Sequence, residues 1–406
     1  MGKNAIVGQS GGPTAVINSS LAGVYETCLA CGAQTVYGMR FGVEGLLKKK
    51  YVDLAQVLPT AMDVELLKRT PSSFLGSCRY KLPDWKTQPA VYEQLFEILK
   101  ELDIGWFFYI GGNDSMDTIC KLSAYGASVN SDIRFMGVPK TIDNDLMGTD
   151  HTPGYGSAAK YISSVIKEVT RDSLVYDIKS VTIVEIMGRN AGWLAAAAAL
   201  AKGPDCEGAD LIYLPEVAFD VDAFVEKVRV LQQTKPSIVI AVSEGVKLAD
   251  GRYVCELTAD DRAVDVFGHT MLTGTGRVLA DLLSSRLGTK ARAIELSTLQ
   301  RCASHLASGA DIAEAYQAGG AAVHAAAEGQ TGKMVGLKRL SDQPYLCVTD
   351  LLDIEKVANL EKKVPLDWIT EEGTQMSEAF LRYARPLIQT ELPAMYVAGT
   401  PRHIHL

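Results

Sequence analysis

The chain has 406 residues, 47% of them hydrophobic and 22% charged, which suits two large domains or three small ones and excludes disorder as the main state. The 40 basic against 48 acidic residues leave a formal net charge of −8, a surface that does not favour non-specific binding of nucleic acid or anionic membranes, although a local basic pocket can still take an anionic ligand. The start MGKNAIVGQSGG lacks the basic and apolar regions of a signal peptide, and the longest apolar run, Ala191 to Ala201, is too short to cross a bilayer, so a soluble cytoplasmic protein with no membrane or nucleic-acid partner is expected.

Short apolar runs rich in Val, Ile, Phe and Tyr recur along the chain, and each ends in glycine, proline or a polar cluster. Asn4 to Val7 stops at Gly8-Gln9-Ser10-Gly11-Gly12, and Thr35 to Met39 follows. Cys28 and Cys31 form a CxxC with no second pair at zinc spacing, and read as small residues of a helix; the 8 scattered cysteines are expected to be reduced thiols. Ala90 to Leu102 has helical spacing, Ile104 to Ile110 ends at Gly111-Gly112, and Ile133 to Val138 ends at Pro139. Ser157 to Val169 is again helical, and Ser180 to Met187 ends at Gly188. Leu211 to Leu214 ends at Pro215, Asp222 to Leu231 is helical, Ile238 to Val242 ends at Ser243-Glu244-Gly245, and Ala293 to Leu296 ends near Ser297. These runs predict strands buried on both faces, alternating with helices. The fold class is therefore α/β, with two Rossmann-like doubly wound lobes, parallel sheets and the active site in the cleft between them. One lobe is expected to comprise 1–154 plus roughly 301–365, and the other 155–300 plus roughly 366–406. Beyond Gly332 the pattern is hard to read, and this part is expected to complete one lobe and cap the other.

Ligands of open parallel sheets bind beyond the carboxyl ends of the strands, so the chemistry is sought in the polar clusters there. Gly11-Gly12 and Gly111-Gly112 each stand between a strand and a helix, where bare backbone N–H groups can approach an anion; a tight turn would explain them equally well. Neither fits a Walker loop or the dinucleotide fingerprint. Pro139-Lys140-Thr141-Ile142-Asp143-Asn144-Asp145 packs a cation, a hydroxyl and two carboxylates into one turn, which supplies a base for a substrate hydroxyl, a metal anchor and a phosphate-neutralising charge. Asn113, Asp114 and Ser115 follow the preceding long strand, where they can face the same crevice. Arg189, at a helix start where the dipole disfavours a cation, points to an anion site or to an ion pair. Glu244 can accept from sugar hydroxyls, and Arg292 and Arg301 suit a phosphate or a surface salt bridge.

In this order and spacing the motifs resemble the phosphofructokinase family, over about Asn4 to Arg301, with TIDND at 141–145 and MGRNAGW at 187–193 the most specific. The resemblance implies that Thr141, Asp143 and Asp145 lie at the sugar phosphate, with Asp143 taking the proton from the 1-hydroxyl of fructose 6-phosphate. It implies that Met187, Gly188, Arg189 and Glu244 hold the sugar, and Arg292 and Arg301 its 6-phosphate. Lys179 matches an arginine that reaches a neighbouring subunit's site, which implies a homodimer or homotetramer. Gly11, Gly12, Gly111, Gly112 and Ser115 are the implied donor loops, and Asn113, Asp114 and Asp145 the implied Mg²⁺ residues.

ATP-using members of the family typically have glycine at the positions of Asp114 and Lys140. The resemblance is thus to the pyrophosphate-dependent subgroup, with Asp143, Lys140 and Asp114 as the catalytic set, and the expected reaction is reversible phosphorylation of fructose 6-phosphate to fructose 1,6-bisphosphate in glycolysis. A carboxylate after Gly-Gly repels a third phosphate, and the lysine neutralises a small, highly charged donor. Three positions depart from the family pattern. Asn113 stands where an aspartate usually serves the metal, Thr298 where histidine or tyrosine is usual, and Cys302-Ala303 where a glycine pair follows the second arginine. The competing expectations are the same reaction with ATP and a non-catalytic regulatory subunit of the same family, which intact Asp143, Asp145 and Arg189 disfavour. A dinucleotide oxidoreductase fits the alternation but lacks the fingerprint.

Overall fold

The computed structural model describes residues 4–258, 274–358 and 360–406. From the N-terminal part come β1 (Asn4–Gln9), β2 (Val36–Met39), β3 (Tyr51–Asp53), β4 (Ile104–Gly111) and β5 (Arg134–Pro139). Then follow β6 (Ser180–Ile186), β7 (Leu211–Tyr213), β8 (Ser237–Ser243) and β9 (Lys290–Glu295), and last β10 (Lys333–Asp342) and β11 (Tyr345–Asp353). They build a seven-stranded sheet in the order β11-β10-β5-β4-β1-β2-β3 and a four-stranded sheet in the order β7-β8-β6-β9. The smaller sheet is parallel throughout. The larger is parallel except at its two rims, where β3 and β11 run antiparallel to their neighbours. β11 follows β10 through a tight turn at Gln343-Pro344 and needs no crossover, whereas β3 is reached from β2 through a connection that carries the helix Gly42–Leu47.

The continuous apolar runs are explained by helices on both faces. In β4, Phe108 and Ile110 join one buried cluster with the helix Ile17–Ala30. Phe107 and Tyr109 join the opposite one, with the helices Pro89–Glu101 and Asn113–Ser128. In the second sheet Val184 and Ile186 pack with the helix Tyr155–Ser173, and Val181 and Ile183 with Val221–Leu231 and Thr275–Leu287. The helices Ile17–Ala30 and Gly309–Ala327 cross at backbone contact, since a Cβ on Gly23 would stand 2.1 Å from the Tyr316 carbonyl oxygen and one on Gly319 2.2 Å from that of Ser20.

β9 departs from the expectation of a strand buried on both faces. It is a rim strand with Lys290, Arg292 and Glu295 exposed, and only its apolar positions touch the core. The segment after Gly332 first adds β10 and β11 to the larger sheet; then Trp368, Phe380, Ala384 and Leu387 pack against the cluster under the smaller one. All eight cysteines are free thiols, and among the described residues no helix is long and apolar enough to cross a membrane.

Candidate active site

The carboxyl ends of β1, β4 and β5 from one sheet and of β6 and β8 from the other face a single cleft of about 650 Å³. Of the residues singled out in the sequence, Gly11, Gly12, Gly112, Asn113, Asp114, Ser115, Lys140, Thr141, Asp143, Asp145, Met187, Arg189, Glu244 and Arg301 line it. Gly111 and Gly188 form the backbone beneath its walls.

After β1 the chain turns at Gly11 (φ +76°), where an added Cβ would stand 3.2 Å from Lys140 Nζ. The absent side chain is what lets the ammonium approach this backbone. After β4, Gly112 caps the helix Asn113–Ser128, so exposed Asp114 lies in its first turn, where the dipole favours a carboxylate. The Asn113 Oδ1 is buried and has no hydrogen-bond partner among the described residues.

After β5, Thr141 Oγ1 donates to Asp143 Oδ2 (3.1 Å) and accepts from the Asp143 N–H (3.1 Å), so the hydroxyl orients the carboxylate. Burial pushes Asp143 above the usual carboxylate range, against the pull of the Thr141 bond, Lys140, Arg189 and Arg301. Asp145 is raised by burial and then by repulsion from Asp143 and Glu361. Lys140 is lowered to about 8, because loss of water outweighs the attraction of Asp143 and Asp145. The turn thus holds weakened charges of both signs, ready for a ligand that brings its own.

After β6, Gly188 has φ +140°, and a Cβ there would lie 2.7 Å from the Ala191 carbonyl oxygen. Its N–H donates to Glu244 Oε1 (3.3 Å), and its carbonyl accepts from the Ser243 hydroxyl. The ends of β6 and β8 are locked together in this way, which sets Arg189 and Glu244 on one wall. Burial raises Glu244 to about 7, and repulsion from Asp143 and Glu185 adds to it. Arg301 reaches the glycine loop, with Nη1 at 3.2 Å from the position of a Cβ on Gly12.

Two expected site residues are not brought to this cleft. Lys179 is exposed just before β6, and Arg292 is exposed on β9 opposite Thr182. That position is four residues, roughly 13 Å of strand, from the end of β6 where the cleft opens. Conversely, Arg79, Tyr80, Asn190 and Glu361 line the cleft and escaped the sequence reading. Arg79 follows no apolar run, so a search at strand ends passes over it. Asn190 stood in plain view beside Arg189, and its Nδ2 donates to Glu361 Oε1 (2.9 Å). Glu361 comes from the segment whose pattern was hard to read.

A family profile described as Phosphofructokinase matches residues 4–324. The pyrophosphate–fructose 6-phosphate 1-phosphotransferase of Methylococcus capsulatus is 41% identical over 100% of this chain and 96% of its own length. The enzyme of the same name from Halomonas elongata is 40% identical over 98% of this chain and 95% of its own. The crystal structure of a pyrophosphate-dependent phosphofructokinase from Nitrosospira multiformis superposes with a TM-score of 0.89 at 37% identity, over 99% of this chain and 96% of that one.

Proposed function

The chain belongs to the phosphofructokinase family, and from that premise we propose that it transfers a phosphoryl group from pyrophosphate to the 1-hydroxyl of fructose 6-phosphate, reversibly. The observation that carries the choice of donor is the charge facing the cleft beside the glycine loops: the exposed carboxylate of Asp114 and the buried ammonium of Lys140. The first disfavours a third phosphate and the nucleoside behind it, and the second stabilises a compact diphosphate.

In this reading Asp143 is the base, oriented by Thr141. Lys140 and the amides of the glycine loops stabilise charge on the transferring group, and the wall that carries Arg189 and Glu244 orients the sugar. Arg301 takes the 6-phosphate. The buried, unpartnered Asn113 Oδ1 together with Asp114 and Asp145 is an oxygen set that fits Mg²⁺. When bound, the ion would neutralise donor oxygens. The donor lobe is assigned to 1–154 with roughly 301–365, and the sugar-phosphate lobe to 155–300 with roughly 366–406. Lys179 is assigned to the cleft of a second copy, in a homodimer or homotetramer, and the free thiols suit a cytoplasmic setting. Purified protein with fructose 6-phosphate, Mg²⁺ and either donor tests the proposal. Rapid turnover with pyrophosphate and little with ATP is expected, and the reverse would overturn the donor assignment.

A further inference from the structure

Between the carboxylates of Asp143 and Asp145 stands Asn144, fully buried, with φ +55°. Asparagine adopts this left-handed conformation more readily than other side chains, because its amide can bond locally, and here the amide is held on both sides. The holding groups come from two places. Asn144 Oδ1 accepts from the Thr152 N–H (3.0 Å), and Thr152 Oγ1 donates to the Thr141 carbonyl (2.8 Å), closing the turn on itself. Asn144 Nδ2 donates to the hydroxyl of Tyr383 (2.8 Å), which lies 239 residues further along the chain, in the helix Glu378–Ala384. The Tyr383 hydroxyl in turn donates to the Asp150 carbonyl (2.8 Å).

We propose that Tyr383 is a positioning residue for phosphoryl transfer, whose hydroxyl holds the Asn144 amide and thereby the turn that aims Asp143 and Asp145; the inference rests on the phosphofructokinase reading above. The hydroxyl both accepts and donates, so it has one orientation that satisfies both neighbours. The ring is fixed independently. It packs against Trp193 (5.4 Å between centroids) and Trp368 (5.3 Å), and the Arg339 guanidinium lies over it at 4.8 Å. Trp193 closes the MGRNAGW segment, so one side chain touches both the base-bearing turn and the segment that carries Arg189. Asn144 is a hinge between two carboxylates, and a rotation of roughly 20° there displaces their oxygens by about 1 Å, the scale at which misplacement can cost up to 10²-fold in rate. Burial also pushes the phenol well above its ordinary range, which keeps its proton in place.

Tyr383→Phe keeps the ring contacts and removes only the hydroxyl. With fructose 6-phosphate and pyrophosphate, its kcat should fall about tenfold, ~1.4 kcal/mol in the barrier, while KM for both substrates stays within about twofold. Asn144→Gly accepts a positive φ without the amide, and it should lose at least as large a factor, since the bond from the Thr152 N–H goes with it. The double variant should be no slower than the slower single one, because Asn144→Gly already cuts the link that Tyr383→Phe removes. A Tyr383→Phe enzyme with kcat within about twofold of the parent, a loss confined to KM, or losses that multiply in the double variant would overturn the proposal. If Tyr383→Phe does not fold, Asn144→Gly alone decides by the same kcat and KM criteria. Crystal structures of the parent and Tyr383→Phe give a readout independent of turnover. A turn displaced at 143–145 upholds the proposal, and an unchanged Asn144 conformation and carboxylate placement overturns it. An inactive parent enzyme would count against the functional reading instead, and the crystallographic comparison would still decide the positioning role.

Discussion

Lys140 loses water among Asp143, Asp145, Arg79 and Arg301, and its pKa of about 8 means that the ammonium of the free enzyme begins to deprotonate just above neutrality. Asp143 moves the other way, raised by burial, and is protonated at a pH above the usual carboxylate range. A base must be deprotonated and an anion-stabilising lysine protonated, so kcat/KM for pyrophosphate should fall toward acid as Asp143 takes up a proton and toward alkali above about pH 8 as Lys140 loses one. In Lys140→Arg the alkaline limb should leave that range, because a guanidinium stays charged; a pH profile of the variant checks this. Asp143→Asn should lower kcat by about 10²–10⁴ with little change in substrate affinity, measured by steady-state kinetics beside direct binding. Asp114→Gly should admit some ATP and Lys140→Gly should sharply cut the pyrophosphate rate, since one removes a repulsion and the other an attraction. Parallel assays with the two donors read out both changes.

The junction of β6 with the segment after it shows how an element's end becomes a site. Gly188 lies in a region of φ open to glycine, under the Ala191 carbonyl and the Ser243 hydroxyl. Gly188→Ala should therefore destabilise the protein by about 1–3 kcal/mol and raise KM for fructose 6-phosphate, because Arg189 and Glu244 part when the two strand ends separate; urea unfolding and kinetics check the two effects. The strands that frame the cleft were legible in the sequence because burial on both faces leaves nothing but apolar side chains between turn residues, as in Ile104–Gly111. The clusters after them were legible because β1, β4, β5, β6 and β8 all end at the cleft. Arg79 was hidden for the converse reason, being in a stretch without regular structure. β11 was hidden because its exposed positions are apolar too, at Leu346, Val348 and Leu351, so no alternation of apolar and polar residues marks it as a strand. Tyr383 carries no local sign of its task, which comes only from the fold's bringing Asn144 to it.

Over the whole molecule, the exposed run Leu174, Val175, Tyr176 and Ile178 stands directly before Lys179 and β6, whose first residue pairs with Lys290 on the exposed rim strand. Apolar side chains grouped in this way beside a cation suit contact with a second copy. If Lys179 serves a neighbour's cleft, Lys179→Glu and Asp143→Asn should each be nearly inactive alone, and refolding the two together should restore activity in mixed oligomers, a result that cis action forbids. The larger sheet has another consequence. It takes β1 from the beginning of the chain and β10 and β11 from beyond residue 332, while the turn at 143–145 awaits a tyrosine near the C-terminus. Such distant pairings are slow to form and cannot begin while the later residues are still being made. On the ribosome, then, a chain made as far as Arg301 already carries nearly all the residues that line the cleft and still lacks β10, β11 and Tyr383, so turnover should begin only once those have emerged.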